Sequence, residues 1–211
     1  MDEKTDIAEL EKFILDNPEL EKLESLLDQF NIFDVLNIVN AEIRHSSVIA
    51  WLLNPNDTHG LGNHFLKLFL KYFINHNKSS LDGTISLFTV EFLRLTTVEV
   101  WKEWNHIDIL ILIEEEDNKF VIAIENKIKT TEHSKQLERY REIVEKKFLN
   151  YNKLFIYLSP DGLIPSDESW FAFNYNIIAE IIDNLLENKK DMMNANIKEF
   201  ISQYNINPVI A

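Results

Sequence analysis

The sequence predicts an α/β domain in which helices flank a mixed sheet. Three observations carry that expectation. Apolar residues recur at helical spacing through roughly residues 1–75. From Thr96 the period drops to two and β-branched residues dominate. One amphipathic helical stretch then interrupts the strand-like runs, giving helix, three strands, helix, strand, with helices at both ends.

The elements follow in order. "DIAELEKFIL" has a helical apolar stripe, and Pro18 suits the first turn of a second helix, "PELEKLESLLDQF". "IFDVLNIV" reads as short and buried. "HSSVIAWLL" reads as a helix with Ser46 or Ser47 as its N-cap. "NPNDTHGLG" is a loop by its Asn, Pro and Gly content, and "NHFLKLFLKYFINH" is a strongly apolar helix. "TTVEVWKEW" alternates as a half-buried strand does. "HIDILILI" and "FVIAIENKI" are apolar on both faces, the mark of central strands covered on each side. The charged turn "EEEDNK" makes this pair a hairpin. "TEHSKQLERYREIVEKKFL" is an amphipathic helix, "KLFIYL" a strand stopped by "SPDG", and "WFAFNY" a further strand. "IIAEIIDNLLE" and "NIKEFISQY" read as closing helices. Trp51, Trp101, Trp104 and Trp170 read as core or rim packing.

Composition narrows the function classes. The 211 residues suit one domain, and a 45% hydrophobic share permits a sizeable core. The absence of cysteine excludes a disulfide framework and cysteine-based zinc sites, and it fits a reducing cytoplasm. "MDEKTDIAEL" does not read as a signal peptide, and no apolar run nears the ~18 residues of a membrane span. The expected setting is cytoplasmic, with no membrane partner. A net charge of −14 argues against indiscriminate nucleic-acid binding. That charge is uneven: residues 1–30 carry a net −7, whereas residues 127–147 carry seven bases, four acids and a net +3. An anionic substrate has an approach there.

The unexpected residues are acids and an amine inside the buried strands. Side chains alternate along a strand, so Glu125 and Lys127 share one face and Asn126 takes the other. In an antiparallel hairpin the start of one strand lies beside the end of the next, so Asp108 sits next to Glu125. Two such carboxylates repel and are poorly solvated. A hard divalent cation removes the conflict, because Mg²⁺ favours one or two carboxylates plus waters and phosphate oxygens. Lys127 is then placed to orient water or to stabilise charge on a phosphoryl group.

Asp108 with Glu125-Asn126-Lys127 on adjacent strands, followed by a helix and a strand, resembles the PD-(D/E)xK nuclease superfamily. "HS…AWLLNP…HGLG…FL" and "QLERY" resemble one bacterial branch of it, so the resemblance covers roughly residues 42–160. It implies a restriction-endonuclease-like αβββαβ core over 42–160, a helical N-terminal extension over 1–40, and a C-terminal strand and helices over 161–211. It implies hydrolysis of phosphodiester bonds by a metal-activated water with Lys127 assisting, with Mg²⁺ or Mn²⁺ as cofactor and DNA as the first-choice substrate. Asp108 and Glu125 would be metal ligands, with the Asn126 carbonyl and Glu42 of the first core helix as further candidates. Gln136 and Tyr140, one helical turn apart, would support the site or touch DNA. Ile107 stands where the superfamily's eponymous Pro would be, and His106 stands where a small residue is expected; the sequence gives His106 no role.

Each assignment has a plainer counterpart. Asp108 can cap a strand, Glu125 and Lys127 can form an ion pair, Glu42 can be a solvated helix residue, and Gln136 and Tyr140 can be ordinary helix positions. His45 and His59 read as residues that hold a turn or helix end by hydrogen bonds, ahead of metal or substrate binding. The basic helix can be a solvated face of i,i+4 pairs. The rival function is a nuclease-fold protein that binds nucleic acid or a protein partner without cutting. A homodimer or partner subunit is the expected source of target recognition, since no separate recognition segment is legible.

Overall fold

A computed structural model describes residues 17–18, 30–81, 83, 85–116, 118–129 and 135–206. The two helices expected before residue 30, apart from Asn17 and Pro18, lie outside the described residues, and so does nearly all of the acidic first segment. The described elements run α1 (Ile32–Val35), α2 (Glu42–Leu53), α3 (His64–His76), α4 (Leu87–Phe92), β1 (Val98–Trp104), β2 (Ile107–Glu114), β3 (Lys119–Asn126), α5 (Gln136–Lys147), β4 (Asn152–Ser159), β5 (Trp170–Asn174), α6 (Tyr175–Asn188) and α7 (Ala195–Asn205). The five strands form one mixed sheet in the order β1-β2-β3-β4-β5. The β1–β2 and β2–β3 pairs are antiparallel, whereas β3–β4 and β4–β5 are parallel. Parallel neighbours need a crossover, and α5 supplies the one between β3 and β4.

The apolar runs of β2 and β3 bury both faces of the sheet, as their sequences predict, and β4 does the same. Ile109, Ile111, Ile122, Ile124 and Ile156 enter a large core with α2, α3, α6 and α7. Leu110, Val121, Ala123 and Phe155 enter a second cluster under Leu137, Tyr140 and Val144 of α5. Each buried Ile, Leu, Val or Phe among them contributes about 1.5–3 kcal/mol relative to exposure. The sheet is therefore pinned in register: a slip by one residue would exchange its two faces.

Several local expectations change. Ser46 and Ser47 are not N-caps. Helix α2 begins at Glu42, and both hydroxyls donate back to the carbonyls of Glu42 and Ile43, at 2.9 and 2.8 Å. In "IFDVLNIV" only Phe33 of the helical turn is buried, while Val35 and Leu36 are exposed. Helix α4 has no counterpart in the sequence reading. Its signal is the capping box of Ser86 and Thr89, in which each side chain serves the other residue's backbone N–H. Trp170 is buried and donates to the Leu137 carbonyl, while Trp51, Trp101 and Trp104 lie partly buried at core edges.

Candidate active site

The β2–β3 register sets the site. Ile109 faces Ile124, so one step further along the ladder Asp108 faces Glu125. The Asn126 backbone N–H donates to Asp108 Oδ2 at 2.8 Å, which ties the start of β2 to the end of β3. Lys127 follows on the Glu125 side, its N–H donating to Leu158 O at 2.8 Å and so anchoring it against β4.

Glu125 is 1% exposed, and its two oxygens have different surroundings. Oε1 accepts from Gln136 Nε2 at 2.8 Å and lies 3.0 Å from Lys127 Nζ. Oε2 is buried with no hydrogen-bond partner among the described residues. Gln136 Nε2 also donates to the Tyr140 hydroxyl at 3.0 Å, so the first turns of α5 brace the carboxylate. The structure thus brings Asp108, Glu125, Lys127, Gln136 and Tyr140 together.

The electrostatics follow from burial. Burial pushes the Asp108 carboxyl up to about 6, against the pull of the Asn126 N–H. Burial, and then the Asp108 charge, push Glu125 up to about 8. Burial also works against the Lys127 charge, but the Glu125, Glu42 and Asp108 carboxylates outweigh it and hold the ammonium above its usual range.

Glu42, the first residue of α2, stands at the edge of this cluster. Its Oε1 accepts from the N–H groups of Ile128 and Lys129 at 3.1 and 3.3 Å, and its Oε2 is 4.0 Å from Lys127 Nζ. It holds the turn that follows Lys127. The Asn126 side chain points the other way. It donates to Ser46 Oγ at 3.0 Å and to the Glu42 carbonyl at 3.3 Å, and it accepts from the Tyr175 hydroxyl at 2.8 Å. Ser46 and Tyr175 are supports that the sequence reading missed. Local spacing tells which face Asn126 takes but not that the chain returns there from 80 and 49 residues away.

His45 and His59 are both held by hydrogen bonds inside the fold. His45 bonds the Val39 carbonyl at 2.8 Å and the Tyr204 hydroxyl at 3.2 Å. His59 bonds the Asn54 carbonyl at 2.8 Å, and its Nδ1 accepts from the Leu61 N–H at 2.9 Å. Burial lowers both imidazoles below their usual range. His106 occupies, with Asn105, the two-residue turn between β1 and β2. Both adopt positive φ, 69° and 49°, as the tight hairpin turn favoured by strand twist requires.

Among the described residues no group of three or more His, Asp and Glu side chains is arranged to hold a metal ion. The donor set is smaller: two opposed carboxylates, one with an unpartnered buried oxygen. That set fits a hard cation that keeps waters and takes substrate oxygens for the rest of its shell.

A model of the PD-(D/E)XK nuclease superfamily matches residues 30–205. The chain belongs to that superfamily. Membership covers most of the 211 residues and suggests a nuclease. No curated protein and no solved structure matches the chain. In this PD-(D/E)XK chain the position of the eponymous Pro is Ile107, fully buried in the second cluster. No helix among the described residues is long and apolar enough to cross a membrane.

Proposed function

We propose that this nuclease hydrolyses phosphodiester bonds in DNA with the help of Mg²⁺ or Mn²⁺. The observation that carries the reading is the Glu125 carboxylate: one oxygen held by Gln136 and Lys127, the other buried and unpartnered beside Asp108. A carboxylate left in that state costs several kcal/mol, on the order of a buried unpaired polar group or more. Such a cost is expected where a cation is to bind.

Asp108 and Glu125 would hold the cation, with the Asn126 carbonyl and Glu42 as the outer candidates. When bound, the cation would supply an acidified water and neutralise charge on the phosphate. Gln136, braced by Tyr140, holds Glu125 Oε1 and leaves Oε2, which has no partner among the described residues, as the oxygen that would take the cation. The Lys127 ammonium would donate to a phosphate oxygen as negative charge grows on it. Glu42, through the Ile128 and Lys129 N–H groups, keeps Lys127 from swinging away.

The test is cleavage of supercoiled plasmid, linear duplex and single-stranded DNA or RNA in Mg²⁺, Mn²⁺ or EDTA. Wild type runs beside Asp108→Ala and Lys127→Ala. Metal-dependent cutting that drops at least about 100-fold in both variants is the expected result. Cutting that survives both would place the chemistry elsewhere. The net charge of −14 favours a second reading, a nuclease-fold protein that binds a partner without cutting. Folded wild type that cuts none of these substrates would select it.

A further inference from the structure

Beside the carboxylates, α5 and the β1–β2 turn enclose a hollow of about 530 Å³ lined by Asn105, His106, Gln136, Arg139, Tyr140 and Ile143. We propose that Arg139 and His106 form a phosphate-gripping subsite that holds the nucleic-acid strand flanking the scissile phosphodiester. The proposal rests on the nuclease reading only for what happens to that strand afterwards.

Five observations support it. The hollow opens against the reacting centre, because Gln136 lines it and bonds Glu125 Oε1 at 2.8 Å. Its volume lies in the range that admits a nucleotide-sized group. Its lining has no carboxylate, on a chain of net charge −14. By contrast, the hollow between the segment ahead of β1 and the β2–β3 turn sets Glu114, Glu115 and Glu116 against the single base Arg94, a net negative lining that repels a phosphate.

The cation is also available. Along the basic helix Lys135 pairs with Glu138, Arg141 with Asp167 and Glu145, and Lys146 with Glu142. Arg139 is exposed and has no ion pair among the described residues. Its guanidinium lies over the Tyr140 ring, 5.2 Å from the centroid. Stacking leaves the planar fork oriented and its N–H donors free for a bidentate phosphate contact. Tyr140 in turn is bonded to Gln136, so the platform under Arg139 and the catalytic carboxylate share one brace.

His106 gives the fifth observation. It stands at φ 69° in a turn where glycine has no Cβ penalty. An exposed imidazole therefore sits at the rim of the hollow in a conformation that the backbone does not need it for. Two residues later the same turn delivers Asp108. The rim and the metal-facing carboxylate are fixed by one hairpin end.

The experiment measures binding of short fluorescein-labelled single-stranded and duplex DNA by anisotropy, in Ca²⁺ and in EDTA, over a salt series. Wild type is compared with Arg139→Ala, Arg139→Lys and His106→Gly, after melting curves show that each is folded. Arg139→Ala should weaken binding about tenfold and lower the slope of log K against log salt by about one phosphate contact. Arg139→Lys should recover part of the loss. His106→Gly suits the backbone, so it should melt no lower than wild type yet bind more weakly; a purely structural His106 would leave binding unchanged. With a cleavable substrate in Mg²⁺ or Mn²⁺, Arg139→Ala should raise KM and leave kcat within a factor of about two. Weakened binding by a chain that cuts nothing would sink the hydrolytic reading and leave the subsite standing. Wild-type affinity and salt slope in Arg139→Ala would overturn the subsite, and so would a wild type that binds neither DNA under either condition.

Discussion

At the scale of single residues, the centre is built from groups that a stable core would avoid. Glu125 and Asp108 face each other inside the sheet, and each is pushed towards its protonated form. Their neighbour Asn126 does the opposite work. Its amide joins β3 to α2 through Ser46 and Glu42, and to α6 through Tyr175, with every bond satisfied and the Tyr175 ring fully buried. Truncation to Asn126→Ala would remove the acceptor of the buried Tyr175 hydroxyl and the donor to Ser46 Oγ, and so cut β3 loose from α6 and α2. We expect a loss of about 2–4 kcal/mol, read from urea unfolding of the variant against wild type. A loss below about 1 kcal/mol would show that the clamp is replaced by water or by another side chain.

At the scale of elements, the hairpin and the crossover helix decide what the sequence could reveal. Asp108, Glu125 and Lys127 were legible because strand alternation and a short turn are local rules, and local rules place all three. Gln136 and Tyr140 were legible as one helical face. Ser46 misled because a serine near a helix start looks like a cap, whereas α2 begins earlier, at Glu42 behind an uncapped Ala41. Helix α4 is too short to display a period. The role of His106 was hidden because positive φ is a property of the closed turn, not of the residue type. The loop between α2 and α3 gives an element-scale prediction. His59 bridges Asn54 O and the Leu61 N–H there, packed edge-on to Trp51 at 5.3 Å, with Asp57 as the charged group beside it. Burial outweighs the pull of the Asn54 carbonyl and of Asp57, so the folded chain holds the imidazole neutral. The unfolded chain therefore takes up the proton first as pH falls. The stability this gives is complete above the ordinary value of about 6.5 and is lost below it. Between about pH 7.5 and pH 5 the melting temperature of wild type should fall further than that of His59→Asn, which keeps an acceptor for Leu61 but cannot titrate. Parallel curves for the two proteins would refute the assignment.

At the scale of the whole molecule, the proposed function would link folding to ion binding through the acids at the sheet end. Without a cation, Asp108→Asn should melt a few degrees above wild type, because it removes a buried repulsion and keeps an acceptor for the Asn126 N–H. With Mg²⁺ or Mn²⁺ at about a hundred times its Kd, wild type should gain about 5–10 °C and the variant little. Differential scanning fluorimetry separates these outcomes, and an equal gain in both proteins would mean that the ion binds elsewhere. The sheet is also covered unequally. One face rests on α2, α3, α6 and α7, whereas among the described helices α5 alone supplies the second cluster's helical cover. The strands carrying Asp108 and Glu125 are covered on both faces and are expected to open slowest, while Gln136, Arg139 and Tyr140 ride on a helix packed against one face. Hydrogen exchange should then run on two clocks: slow amides in β2 and β3 around the acids, and faster ones in α5, where the proposed grip would sit.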